Sequence, residues 1–193
     1  MTNFPGTPRT GAAGFSIGNK GYIVMGDDGK GRINEFWEWD QTTNTWTQLN
    51  NFPGVPRSGA TGFAIGNKGY LIAGDLFRIG SSNEFWEWDQ SSDTWTQKSD
   101  FPGGNRKGAA GFSIGKKGYI ITGDLFGKGR CNECWEWDQT SSTWTQKNGF
   151  PNVPRTGAAG FAIGKKGYIV TGDIYGKGRS NEFWECEVAG INN

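Results

Sequence analysis

Apolar and polar residues alternate over short runs in this chain, and no window carries the 3.6-residue apolar stripe of an amphipathic helix. The stretch Asn34-Glu-Phe-Trp-Glu-Trp-Asp40 sets the pattern. As a strand it places Trp37 and Trp39 on one side and Phe36 and Glu38 on the other. Residues 40–44 are turn chemistry, because Asp, Thr and Asn side chains bond their own backbone. Residues 45–49 form the following strand, with Trp46. Upstream, residues 9–17 read as a strand rich in Gly and Ala, suited to a place where backbones crowd. A Gly18-Asn19-Lys20-Gly21 turn leads to a strand at 22–25, and residues 26–32 form a loop that differs between copies. Trp37, Trp39 and Trp46 are expected in the core, as are Trp86, Trp88 and Trp95 of the next copy.

The unit returns four times. Phe4, Phe52, Phe101 and Phe150 each precede a Pro, at intervals of 48 or 49 residues. They open copies at about 4–51, 52–100, 101–149 and 150–193. Four short antiparallel strands repeated every ~40–50 residues are the signature of a β-propeller blade. The expected fold is all-β, a single β-propeller domain over residues 1–193 with four-stranded antiparallel blades. In the fourth copy Cys186 stands where the others have Trp, and nothing after it repeats the outer strand, so the last blade is expected to lack that strand. An unpaired strand edge is a template for another chain. A homo-oligomer through the incomplete fourth blade, in the form of a two-chain ring, is therefore expected, with a closed four-bladed monomer as the rival.

The unit resembles the kelch repeat, in which an Arg opens the inner strand, an apolar strand closes on Gly, an aromatic precedes Asp, and a Trp follows shortly. The matching residues in copy one are Arg9, Tyr22-Ile23-Val24, Gly26, Trp39-Asp40 and Trp46. Copies two and three match at Arg57, Gly74, Trp88-Asp89 and Trp95, and at Arg106, Gly123, Trp137-Asp138 and Trp144. Copy four matches at Arg155 and Gly172. Where the kelch pattern has a second Gly, this chain has Asp27, Asp75, Asp124 and Asp173. The resemblance implies a kelch propeller used for binding or as a scaffold. Some kelch-like propellers are copper oxidases that need Tyr, Cys and His around the metal; this chain has no His, so that chemistry is not implied.

The lack of His also excludes Ser-His-Asp and Cys-His catalysis, so no enzyme activity and no cofactor are expected. Cys131 and Cys134 make one Cys-x-x-Cys, but with Cys186 there are three thiols against the four ligands of a structural zinc, so no metal site is expected. The formal net charge is +1, which favours neither nucleic acid nor membrane in bulk. Without a signal peptide the chain reads as cytoplasmic, or as extracellular if an export signal has been removed.

Charge distribution says more than its sum. In a propeller the loop between strands two and three and the connector between blades share one face, and most Arg and Lys side chains fall there. Arg9, Arg57, Arg106 and Arg155 open the innermost strands and would ring the central channel, as an anion site or as braces paired with Asp27, Asp75, Asp124 and Asp173. Phe77 with Arg78, Phe126 with Lys128 and Arg130, and Tyr175 with Lys177 and Arg179 set aromatics beside cations on the loops. These residues are the candidate ligand site. The expected function is a non-catalytic binding or scaffold module whose basic loop face takes a protein, glycan or anionic ligand. The alternative is a structural or engineered repeat array, or part of a larger propeller, with no natural ligand.

Overall fold

The computed structural model describes residues 1–186 as four antiparallel sheets set side by side, without a helix among them. Blade one orders Ala13–Ile17, Lys20–Asp27, Arg32–Asp40 and Thr45–Gln48 from its inner to its outer edge. Blade two repeats this with Thr61–Ile65, Lys68–Ile72, Phe85–Asp89 and Thr94–Lys98. Blade three uses Ala110–Ile114, Lys117–Ile121, Cys134–Asp138 and Thr143–Lys147. Blade four shows Ala159–Ile163, Lys166–Val170 and Phe183–Cys186; the expectation of a missing outer strand after Cys186 falls outside the described residues.

The inner strand is shorter than residues 9–17. Gly11 turns at φ 61, and Thr10 leaves the blade to bridge Asp27. In blades three and four the same segment forms a second, small sheet. Arg106–Lys107 pairs with Asp124–Leu125, which pairs back with Gly129–Arg130. Arg155–Thr156, Asp173–Ile174 and Gly178–Arg179 do the same. The loop after the second strand is thus a short hairpin held against the connector. Its departure from the blade is made by Met25, Ala73, Thr122 and Thr171, all left-handed at φ 62 to 65, each followed by a Gly at φ 101 to 120. Most side chains avoid that region, so these positions are held by their surroundings.

Strand register sorts each blade into two faces. Phe15, Tyr22 and Glu38 align on one face, and Ser16, Gly21, Trp39 and Trp46 on the other. The core lies between blades as three layers. The first joins Ala13, Ile17, Tyr22, Val24 and Phe36 of blade one to Leu71 and Trp88 of blade two, with the connector residue Phe52. The second and third repeat it one blade further on. Phe52 is pinned there by a pair of bonds, its N–H donating to the Asn34 carbonyl (3.0 Å) and Asn34 Nδ2 donating to its carbonyl (3.1 Å).

The core therefore differs from the expected Trp set. Phe36, Phe52, Phe85 and Phe101 are wholly buried, while among the named Trp only Trp88 is. Trp37, Trp46, Trp86 and Trp95 sit near the outer edge and are half-buried. Trp39 is half-buried because its face meets no preceding blade. The inner strands pack in series from blade one to blade four, and no comparable packing joins the last to the first among the described residues. The four blades form an open arc, and the closed four-bladed monomer is not what is seen.

Candidate functional site

Arg57, Arg106 and Arg155 are almost completely buried, and the Arg9 side chain is 4% exposed. Each guanidinium lies over the Phe that opens its own copy, with centroid distances of 4.9 to 5.2 Å over Phe4, Phe52, Phe101 and Phe150. Each donates to the backbone carbonyl of the left-handed residue before Gly: Met25, Ala73, Thr122 or Thr171. Each also pairs with a Glu near the start of the third strand. Arg9 meets Glu35, Arg57 meets Glu84 at 2.5 Å, Arg106 meets Glu133 at 2.5 Å, and Arg155 meets Glu182 at 2.6 Å. An anion site on this row would need guanidinium groups free at the channel mouth. These are buried, paired with Glu and bonded to backbone carbonyls, with only Arg106 Nε left without a partner among the described residues, so they brace the blades. The bracing partner is Glu, and the expected Asp partners belong elsewhere: Asp75 and Asp173 pair with Arg32 and Arg130 of the preceding blade.

Burial works to raise the Glu84 and Glu133 carboxyls, but hydrogen bonds from the Trp two residues on and from the paired Arg outweigh it and hold both below the ordinary range. A carboxyl lowered in the folded state contributes stability that is complete above its unfolded value and lost as pH falls through its folded one. The melting temperature is expected to hold from pH 7 down to about 4.3, the ordinary Glu value, and then to fall. Glu84→Gln should flatten that acid limb in a series of thermal melts. An unchanged acid limb would show that this pairing adds no pH-dependent stability.

The loop face carries the remaining candidates. Phe77, Phe126 and Tyr175 stand out into solvent, at 47%, 62% and 85% exposure. Each leans toward the preceding blade. Phe77 lies under Arg32 (5.6 Å) as well as Arg78 (4.9 Å), and Tyr175 under Arg130 (5.7 Å). Phe126 reaches across to Gly80, where a Cβ would be 3.0 Å from its ring. Arg78, Lys128, Lys177 and Arg179 are exposed beside these rings.

One pocket of about 250 Å³ opens on this face in blade three. It is lined by Gly103, Gly104, Asn105, Leu125, Phe126, Lys128, Glu133, Trp135 and Gln146, with Pro102 at its edge. Its origin is local. The other connectors run Thr7-Pro8, Val55-Pro56 and Val153-Pro154, whereas copy three has Gly104-Asn105. In the other copies the Arg Nε–H donates to the Thr7, Val55 or Val153 carbonyl, and Arg106 instead sends its guanidinium to the Gly103 carbonyl. The missing Pro ring and apolar side chain leave the space. Glu133 Oε2 accepts from Arg106 and from Trp135 Nε1 (3.0 Å). Asn105, Glu133, Trp135 and Gln146 were not legible as site residues; the Gly104-Asn105 departure was the signal for them.

All three cysteines are free thiols. Cys134 and Cys186 take the places of the Phe and Trp that meet across the other junctions, where Phe36–Trp88 and Phe85–Trp137 stack edge to face at 4.9 and 4.8 Å. Burial pushes the Cys134 thiol up to about 12 and Cys186 to about 11, so both stay protonated near neutrality. No group of three His, Cys, Asp or Glu among the described residues is placed to hold a metal ion.

Blades of four antiparallel strands arranged around common inner edges define a β-propeller. The Kelch motif matches residues 8–53, the first copy and the connector that follows it. The chain is similar to the solved structure of YjhT, with a TM-score of 0.83 and 19% identity over 96% of this chain. It spans 63% of that protein's length, and at this identity the likeness is one of fold. No curated protein matches the sequence. The chain is a β-propeller whose first copy matches the Kelch motif, and such a fold supports a binding or scaffold module in general.

Proposed function

We propose that this chain is a non-catalytic binding module whose ligand, an oligosaccharide, lies across the loop face of blades two to four. The observation that carries this reading is the blade-three pocket with Phe126 exposed at its rim. A sugar ring offers an apolar face and an edge of hydroxyls. Phe126 and Trp135 supply aromatic surface for the first, and Asn105, Glu133 and Gln146 supply donors and acceptors for the second. Lys128 adds a cation suited to an acidic substituent. The pocket is below the ~300–1,000 Å³ of drug-sized sites and suits a single sugar unit, with Phe77 and Tyr175 extending the surface on either side.

An array of neutral and acidic oligosaccharides tests this directly. The parent should bind a defined subset, and Phe126→Ala should weaken that binding about tenfold, a loss of ~1.4 kcal/mol, while the melting temperature stays put because the ring is exposed. Binding to no oligosaccharide, or equal binding by Phe126→Ala, would overturn the assignment.

A further inference from the structure

Pairings recur across the junctions between blades, the ring-in-socket and Gly–Gly contacts at all three and the Gln–Tyr contact at the first two, and among the described residues each series leaves unused halves on blades one and four. The most specific is a ring in a glycine socket. Phe15, Phe63 and Phe112 lie against Gly69, Gly118 and Gly167 of the following blade, where any Cβ would run into the ring. The remaining ring is Phe161, 39% exposed where Phe63 and Phe112 are 3% and 4%. The remaining socket is Gly21, near which, among the described residues, Trp39 Cε3 alone lies, at 3.9 Å. Ile163 is likewise 66% exposed where Ile65 is 3%.

The polar pairings end in the same way. Gly59, Gly108 and Gly157 each donate an N–H to the carbonyl of Gly11, Gly59 and Gly108 in turn, which leaves the Gly11 N–H and the Gly157 carbonyl over. Gln90 donates to the Tyr22 hydroxyl (2.7 Å) and Gln139 to that of Tyr70 (3.0 Å); among the described residues the Tyr119 and Tyr168 hydroxyls meet Glu136 and Glu185 of their own blades, and Gln41 is exposed. Ser113 Oγ donates to the Ala64 carbonyl at 2.5 Å. Ser16, aligned with Ser113, is exposed, and Ala162, aligned with Ala64, waits on blade four.

We infer that blade four of one chain docks on blade one of a second copy through a junction of the same construction, Phe161 entering the Gly21 socket. This contact is head-to-tail, because the two faces differ. Two copies joined at both ends supply eight blades, within the usual ~4–8 of closed propeller rings. The contact uses the face of blade four, not the strand edge.

Sedimentation of the whole chain tests the proposal. The parent should run as two chains of 21.1 kDa. Ile163→Glu blocks the blade-four face and Ser16→Glu the blade-one face; both positions are exposed, so thermal melts of the two variants should show intact folding. Each variant alone should run as a single chain, and an equimolar mixture should regain a two-chain species through its one intact junction. A parent that stays at 21.1 kDa up to millimolar concentration overturns the proposal, as it would if another polypeptide were the natural occupant. So does a variant that still associates alone, which would mean that like faces meet, or a mixture that remains monomeric.

Discussion

Arg106→Leu is expected to destabilise the chain by about 3 kcal/mol, the lower part of the ~3–5 kcal/mol seen when one member of a buried ion pair is removed. The side chain is fully buried and its guanidinium joins Glu133, the Thr122 carbonyl and the Gly103 carbonyl while lying over Phe101. Losing it strands Glu133 with only the Trp135 indole as donor, but that carboxylate keeps 30% of its side chain in water, which limits the penalty. Arg106→Lys should recover only part of the loss, since an ammonium cannot reach two carbonyls and a carboxylate with the planar fork. Urea unfolding measures both. A loss below about 1 kcal/mol for Arg106→Leu, the range of an exposed pair, would show that the row is not a set of braces.

Trp88→Ala is expected to cost about 3–5 kcal/mol, as for large aromatic truncations in a core. Trp88 is buried between blades one and two and touches Phe15, Tyr22 and Phe36, the last edge to face at 4.9 Å. The same change at Trp39, measured on single chains, should cost clearly less, because that ring has no blade beyond it. Equal losses at the two sites would contradict the arrangement of the core between blades.

The repeat, the strand alternation and the all-β class were all legible, because a side-chain period of two and a 48- or 49-residue return are properties of the sequence itself. Which face of a strand is more deeply buried was not. Trp37, Trp39 and Phe36 sit on one strand, and their relative burial depends on whether a blade lies on one side or both, which no local pattern records. The Arg row was found from its position, but its partner was misread: Asp27 and its equivalents follow the left-handed turn, where Asp75 and Asp173 meet Arg32 and Arg130 of the preceding blade, while Glu35, Glu84, Glu133 and Glu182 come alongside near the start of the third strand. The pocket was missed because it arises from what copy three lacks, a Pro and a larger side chain, and a search for groups that do chemistry passes over such losses.

The thiol pair at the third junction has a consequence for how the arc comes apart. In a stack where each unit touches only its neighbours, stability is close to a sum of unit and contact terms. The contact between blades three and four replaces two interlocked aromatic rings with Cys134 and Cys186, and blade four has a neighbour on one side only among the described residues. Cooperativity is therefore weakest at that point. In a single chain, without the second copy inferred above, blade four is therefore expected to open and reclose as a terminal unit while blades one to three stay folded.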